Sequence, residues 1–390
     1  MQLFHPEHRN SLEAFYSNDA ETYVQLLEGL ANILNESVLP HSANYDLRNE
    51  NIASSRGVLF ENGIGKIIFS KSLGGLELPF GVYSLAMELV ASADAPTAMS
   101  LGIHNTVADG IYQFGNDSQR KLFCQDLVEG KKLASFALTE PTSGSDARRM
   151  QTRAVKKGNK YVINGTKMFI TNAGEADVYF VFTSTEKGHA VFLVEKTNSG
   201  MKVGEDIQKL GMKGSRTAEV RFVDCEVPEG NLVGLDGPAF EYAKFMLNGS
   251  RIIMGSICVG IARIALEKAV SYSAQRKVFE RTLSDFQMTR EKIANMRTDI
   301  SSSRLLCMYA ARLKELSIDF ASEAAQAKIL ATESAARVCD HAIQILGGYG
   351  YTDDNIHRHW RDARLLTIGE GTSEILRLLI GNKEISSTRD

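Results

Sequence analysis

The sequence predicts a mainly helical protein with a small antiparallel β-domain set between two helical regions. Three observations predict it. Apolar residues recur at helical spacing up to about residue 130, short alternating segments bounded by turn residues fill the stretch from about 134 to 230, and helical spacing then returns to the end.

Each region has its own signature. In ETYVQLLEGLANILNESVL, Val24, Leu27, Leu30 and Ile33 stand three apart, forming one stripe of an amphipathic helix that Pro40 interrupts. Gly74-Gly75 and Pro79 mark a loop, flanked by further helical periods in GVYSLAMELVASAD and SQRKLFCQDLVEG. In the middle, Asn164-Gly165 within YVINGTKMFIT is a hairpin signal. VYFVFTS and AVFLVEK flank a turn at Lys187-Gly188, and AEVRFVDCEVP alternates Val220 and Phe222 with Glu219 and Arg221. Beyond Pro228, Ile253, Ile257, Ile261 and Ile264 return to helical spacing. The alanine-rich stretch from Ala321 to Ala336 favours helix, and LGGYGY ends it with three glycines. The expected domains are residues 1–132 (helical), 133–232 (β) and 233–390 (helical).

Composition excludes several classes of function. The 44 Lys+Arg against 47 Asp+Glu give a net charge of −3, which offers nothing to nucleic acid. The apolar run from Ile252 to Ala262, between Arg251 and Arg263, is far short of the ~20 residues a membrane span needs and predicts a core helix. Five scattered cysteines (Cys124, Cys225, Cys258, Cys307, Cys339) make neither a disulfide framework nor a zinc site, so a reducing compartment is expected and no metal is. MQLFHPEHRNSLEAF has the pattern of neither a secretory signal nor a transit peptide. A cytoplasmic protein is expected, or one of an organelle matrix if a presequence has been removed. No GxGxxG follows a strand, and GxxxxGK[ST], HExxH and GxSxG are absent.

Four segments could carry chemistry. FALTEPTSGSDA (136–147) sets Thr139, Thr142, Ser143 and Ser145 around Gly144, so hydroxyls and backbone N–H groups could hold a polar or phosphorylated ligand; a capped, turn-rich loop has the same composition. KMFITNAG (167–174) puts Phe169 and Thr171 on one side of a strand, which suits an aromatic ligand needing one stacking face and one hydrogen bond, or equally a small β-core. In RDARLLTIGEGTSEILRLLIG (361–381), Glu370 stands between Gly369 and Gly371, just before a helix that Thr372 could cap. Glycine neighbours leave room for a substrate, and burial would raise the carboxyl pKa towards that of a general base; favourable placement beside a helix N-terminus is the plainer explanation. Finally, QRKVF (275–279) and QILGGYGY (344–351) could meet a pyrophosphate through Arg276 and another part of a cofactor through Gln344 and the backbone at Gly347-Gly348, although helix C-caps use glycine in the same way. Arg251, in NGSRII, reads as a helix-surface ion-pair residue.

Taken together and in this order, ALTEPTSGSDA, KMFITNAG, the KLGMKGSRTAEVRFVDCEVP strand pair, QRKVF, QILGGYGY and IGEGTSEILRLLIG resemble the acyl-CoA dehydrogenase family over nearly the whole chain. The resemblance implies an N-terminal helical domain, a middle β-domain and a C-terminal four-helix bundle, with FAD between the last two and homotetramers (or dimers) as the assembly. It implies cofactor contacts at Phe136, Leu138, Thr139, Ser145, Phe169 and Thr171. Arg276, Phe279, Gln287, Gln344, Gly347 and Gly348 match contacts to a neighbouring subunit's FAD, and Thr372 and Glu374 follow on the last segment. Ser145, Asn248, Arg251, Gly369 and Gly371 are the substrate-side positions. Glu370 matches the catalytic base, and Ser250 stands where some members carry the base instead. The implied reaction removes the α-proton and β-hydride of an acyl-CoA thioester, giving a trans-2-enoyl-CoA, with electrons passed to an electron-transfer flavoprotein.

Three departures qualify the resemblance. Gly369 replaces an aromatic common in straight-chain members, which opens volume for a branched, cyclic or bulky acyl group. Glu280 replaces a glycine and either weakens FAD binding or points to solvent, and Phe136 replaces a tyrosine. The acyl pocket is expected near residues 80–105 and 240–255, with His104 lining it or capping a helix. Competing readings are an acyl-CoA oxidase or flavin monooxygenase on the same fold, and a silent CoA- or nucleotide-binding scaffold.

Overall fold

The computed structural model describes residues 2–48, 50–352 and 354–387. Helices α1 (Pro6–Tyr16), α2 (Ala20–Ser37), α3 (Ser42–Leu47), α4 (Ala53–Glu61), α5 (Phe80–Ala93), α6 (Ala95–Phe114), α7 (Asp117–Gln119) and α8 (Gln125–Val128) come first. On α2 the buried face is Val24, Leu27, Leu30, Ala31 and Leu34, and Ile33 sits at its edge. Every residue of α5 is buried, including Glu88, so α5 has no solvent face at all. His104 of α6 lines neither the cleft that holds Asn248 nor the groove that holds Arg276 but, as one of the two expectations had it, caps a helix, closing the last turn of α8. It is fully buried, where its Nδ1 accepts from the Ala134 N–H (3.1 Å) and its Nε2 lies 3.0 Å from the Leu127 carbonyl, and burial lowers its pKa to about 4.

The middle strands are β1 (Ala134–Ala137), β2 (Arg153–Lys157), β3 (Lys160–Thr171), β4 (Val178–Thr185), β5 (Gly188–Glu195), β6 (Met201–Val203) and β7 (Thr217–Pro228). They form one seven-stranded sheet in the order β1-β4-β2-β3-β7-β6, with β5 paired to β4. Most pairings are antiparallel, while β1 runs parallel to β4 and a single pair joins β2 to β4 in parallel. The β4–β5 hairpin turns at Glu186-Lys187, one residue before the position the sequence suggested.

Asn164-Gly165 makes no turn. Both residues lie inside β3, at an irregularity between Ile163 and Gly165 in the pairing with β7. The glycine is required there because its φ is +150° and a Cβ would come within 2.5 Å of Thr152. The real β2–β3 turn is at Gly158-Asn159, where Gly158 has φ +64°. KLGMKGS likewise forms no strand; β7 alone carries the regular part of that segment.

After the sheet come α9 (Ala239–Gln275), α10 (Gln287–Glu315), α11 (Ala321–Leu346), the short α12 (Gly348–Thr352), α13 (Asp354–Leu366) and α14 (Ser373–Ser387), with α9 packed against α5, α10 and α11. The stretch Ile252–Ala262 is buried throughout, as a core helix requires. Between α9 and α10, β8 (Lys277–Val278) and β9 (Arg281–Thr282) form a two-residue hairpin whose tip is Phe279-Glu280. Both tip residues have positive φ (48° and 63°), the geometry for which glycine and asparagine are usually chosen. Glu280 is therefore a strained tip residue whose side chain is exposed in the single chain. Among the described residues no helix is long and apolar enough to cross a membrane, and no group of three His, Cys, Asp or Glu side chains could hold a metal.

Candidate active site

Side chains of the two long helices α9 and α11 converge on Glu370. It stands in the turn between α13 and α14, with φ +58° at Glu370 and +96° at Gly371. Thr372 caps α14, accepting the Ile375 N–H on its Oγ1 at 3.3 Å. Burial raises the Glu370 pKa; Arg251, Lys328 and Ser250 each pull it down by less. The residue as a whole is half-buried, yet its Oε2 is sealed from solvent and has no hydrogen bond. An enclosed, unpartnered carboxylate oxygen is equipped to take a proton.

Arg251 is not a surface residue. It is buried on α9, donates from Nε to the Glu370 carbonyl (3.2 Å), and donates from its terminal nitrogen to Asn248 Oδ1 (2.6 Å). Two of the substrate-side positions are thus tied to each other and to the Glu370 backbone. At Gly371 a Cβ would lie 3.3 Å from Leu376 and 3.5 Å from Arg251, whereas at Gly369 it would meet only the Leu365 carbonyl, at 3.9 Å. Space is therefore open on the Gly369 side. Asn248 also lines a cleft of about 690 Å³ with Phe80, Tyr112, Phe245, Lys314 and Phe320, so the expected region 240–255 contributes to a cavity.

The Thr/Ser-rich loop is anchored from beneath. Glu140 accepts the backbone N–H groups of Gln151 and Thr152 and pairs with Lys167 Nζ at 2.8 Å, and Lys167 also donates to the Leu138 carbonyl (2.9 Å). Both side chains are enclosed (0% and 2% exposed). Burial lowers the Lys167 pKa to about 8. Burial alone would raise that of Glu140, but the attraction of Lys167 and the hydrogen bonds from Lys167, Thr152 and Gln151 together outweigh it, and the net shift is downward. The Thr139 carbonyl accepts the Met168 N–H (2.8 Å), so loop and strand are locked together. Phe136 commits its ring to the core against Phe180 and Phe182, and Ser145 is exposed.

Phe169 sits where the register of β3 against β7 shifts between Lys167 and Ile170. Its φ is +60° and it is 63% exposed, while Ile170 is buried and Thr171 half-buried. A bulge thus holds an aromatic ring out from the sheet, beside the threonine. Elsewhere, Arg276, Gly347 and Gly348 line one groove of about 430 Å³ with Tyr272, Leu283 and Tyr349, which contains none of the residues around Glu370. Gly347 has φ +62°, and a Cβ on either glycine would meet nothing within 4 Å. Phe279 is 91% exposed at its hairpin tip, and Gln287, Gln344 and Glu374 are exposed as well. These residues fit FAD: a bulge-presented aromatic beside a hydroxyl, a hydroxyl-rich loop on a rigid base, and an open groove with one arginine and glycine backbone.

Two buried lysines escaped the sequence reading. Lys167 was passed over beside Phe169. Lys328 sits in the alanine-rich helix at i+4 and i+3 from Ala324 and Ala325, and three before Ala331, all buried. A lone lysine on an alanine face was the available signal.

Comparison with known proteins covers the same ground. Residues 20–131, 135–225 and 240–384 match the N-terminal, middle and C-terminal domains of acyl-CoA dehydrogenases. The human mitochondrial short-chain specific acyl-CoA dehydrogenase is 38% identical over 378 residues, 95% of this chain and 91% of the relative. The solved butyryl-CoA dehydrogenase of Megasphaera elsdenii superposes with a TM-score of 0.91 at 36% identity, covering 93% of this chain and 98% of that one. A chain in the structure of the electron transferring flavoprotein of Acidaminococcus fermentans, described in connection with electron bifurcation, matches equally well (TM-score 0.91, 36% identity, 93% and 97% covered).

Proposed function

The chain belongs to the acyl-CoA dehydrogenase family, with FAD as its cofactor, and from that premise we propose that it dehydrogenates an acyl-CoA thioester using Glu370 as the base. The observation that carries the proposal is the enclosed, unpartnered Oε2 of Glu370. A thioester α-proton is weakly acidic, so the base needs a raised pKa and the carbonyl oxygen needs hydrogen-bond donors. Glu370 Oε2 takes the α-proton, and the Glu370 backbone N–H is one donor to the carbonyl as negative charge develops there. Bound FAD supplies the acceptor for the hydride leaving the β-carbon, and the product is a trans-2-enoyl-CoA.

Phe169 and Thr171 would hold the ring, and Leu138, Thr139 and Ser145 the adjoining loop contacts. Arg276, Gly347 and Gly348, with Phe279, Gln287 and Gln344, would serve the cofactor of a neighbouring subunit. That division of labour requires a homo-oligomer, which we place at a tetramer or dimer. The open space at Gly369 supports a branched, cyclic or bulky acyl group, while the similarity to short-chain and butyryl-CoA dehydrogenases supports a short one. The matching chain from the electron transferring flavoprotein structure supports such a flavoprotein as acceptor. A cytoplasmic setting accords with five free, buried cysteines.

An anaerobic visible-spectrum titration with straight, branched and cyclic acyl-CoA thioesters tests the reading. One class should bleach the oxidised flavin. Glu370→Gln should keep FAD bound and abolish bleaching; full turnover in that variant would make another residue the base. Rapid reoxidation by oxygen without an acceptor would replace the dehydrogenase reading with an oxidase.

A further inference from the structure

Lys328 is out of place by ordinary rules. It is a fully buried lysine (0% exposed) on α11, and among the described residues it forms no ion pair with a carboxylate. An ammonium so enclosed is costly unless its charge has a use. Its Nζ donates to the Gly371 carbonyl at 2.7 Å. Arg251, from α9, donates to the preceding carbonyl, that of Glu370. Two buried cations from two different helices therefore hold two consecutive carbonyls of one left-handed turn. A non-glycine residue at φ +58° costs roughly 1 kcal/mol and persists only where its surroundings fix it.

We propose that Lys328 is a positioning residue for Glu370, anchoring the Glu370–Gly371 turn through the Gly371 carbonyl while its charge, with that of Arg251, keeps the enclosed carboxylate able to ionise. The proposal rests on Glu370 being the base. Both cations face the carboxylate, and the groups around Lys328 are Cys258 and Arg251 on α9, Glu333 on its own helix and Glu370. Burial lowers the Lys328 pKa to about 8. At neutral pH the cation is present, and it opposes the burial that drives the Glu370 pKa upward. Below the Glu370 pKa the base is protonated and turnover fails; above about 8 the lysine discharges and its support is lost.

Two holoenzyme variants remove the charge, one with and one without the donor. Lys328→Gln keeps a donor for the Gly371 carbonyl without charge, and Lys328→Met removes both. Each should retain FAD and lose kcat by about tenfold to a hundredfold with a smaller change in KM. In each, the acid limb of kcat/KM should move up by about one pH unit and the alkaline limb near 8 should disappear. Lys328→Arg, which keeps the charge, should restore the acid limb. A fall in kcat with both limbs unmoved would reduce Lys328 to packing and overturn the proposal.

A second readout needs no turnover. The carboxyl infrared band that Glu370→Gln removes should titrate at higher pH in Lys328→Gln than in the unaltered protein, and an unmoved band overturns the proposal. If no thioester bleaches the unaltered enzyme, the proposed function fails, whereas the infrared titration still decides whether Lys328 sets the ionisation of Glu370.

Discussion

Single residues set selectivity here through the space they leave. Gly369 precedes Glu370 with a backbone that needs no positive φ, and a Cβ added to it meets nothing closer than 3.9 Å. A larger side chain can therefore be placed without unfolding the turn. Gly369→Tyr should change stability by less than about 1 kcal/mol, since none of the costly mechanisms applies. It should also lower kcat/KM for a branched thioester at least about tenfold more than for a straight one, because filling an apolar pocket by a few atoms discriminates on that scale. An unchanged ratio between the two thioesters would remove Gly369 from the determinants of specificity. Sequence reasoning could reach this residue because its effect depends on its own missing side chain. It misjudged Arg251 and missed Lys328 because a charged residue on a helix looks solvent-facing until the elements packed against it are known.

At the scale of elements, β3 does most to position the cofactor residues. Its two irregularities, at Gly165 and around Phe169, are invisible to a two-residue alternation, which assumes an unbroken strand. Asn164-Gly165 misled for a related reason: the local turn preference was real, but Gly165 answers to a close approach by Thr152 that only tertiary structure creates. The loop 136–147 was legible from its hydroxyls and glycine, whereas its anchor was not, since Glu140 and Lys167 are 27 residues apart. Removing one partner of such a buried pair leaves the other uncompensated and costs about 3–5 kcal/mol. Lys167→Met should accordingly lower the melting temperature and, by loosening the loop against β3, reduce the FAD retained on purification. Full FAD content at an unchanged melting temperature would show that the loop holds its shape without the pair.

Across the whole molecule, the α–β–α order was plain in the sequence, but the joint between the first helices and the C-terminal bundle was not. Glu88, in the GVYSLAMELVASAD helix, lies 1% exposed at the meeting of α1, α5 and α10, where it accepts from Arg304 (2.7 and 3.0 Å) and lies 2.9 Å from His8. Glu7 of α1 pairs with the same Arg304 at 2.6 Å. The network makes acid stability a property of the interface. Burial depresses the His8 pKa below its ordinary 6.5, with Glu88 opposing by less. For Glu88, burial alone would raise the pKa above its ordinary 4.5, but Arg304 and His8 together outweigh burial and hold it well below. In both cases the unfolded chain binds more protons than the folded one on the acid side, so stability is complete above these ordinary values and falls with pH beneath them. The loss should begin below about pH 6.5, as the unfolded chain takes up a proton at His8, and deepen below about 4.5 as it does so at Glu88. Glu88→Gln should cost about 3–5 kcal/mol at pH 7 by leaving Arg304 short of a buried counter-charge, and its melting temperature should depend less on pH below 4.5. Melting curves from about pH 3 to 8 check both, and parallel pH dependence in the two proteins below about 4.5 would place the acid-labile contact elsewhere.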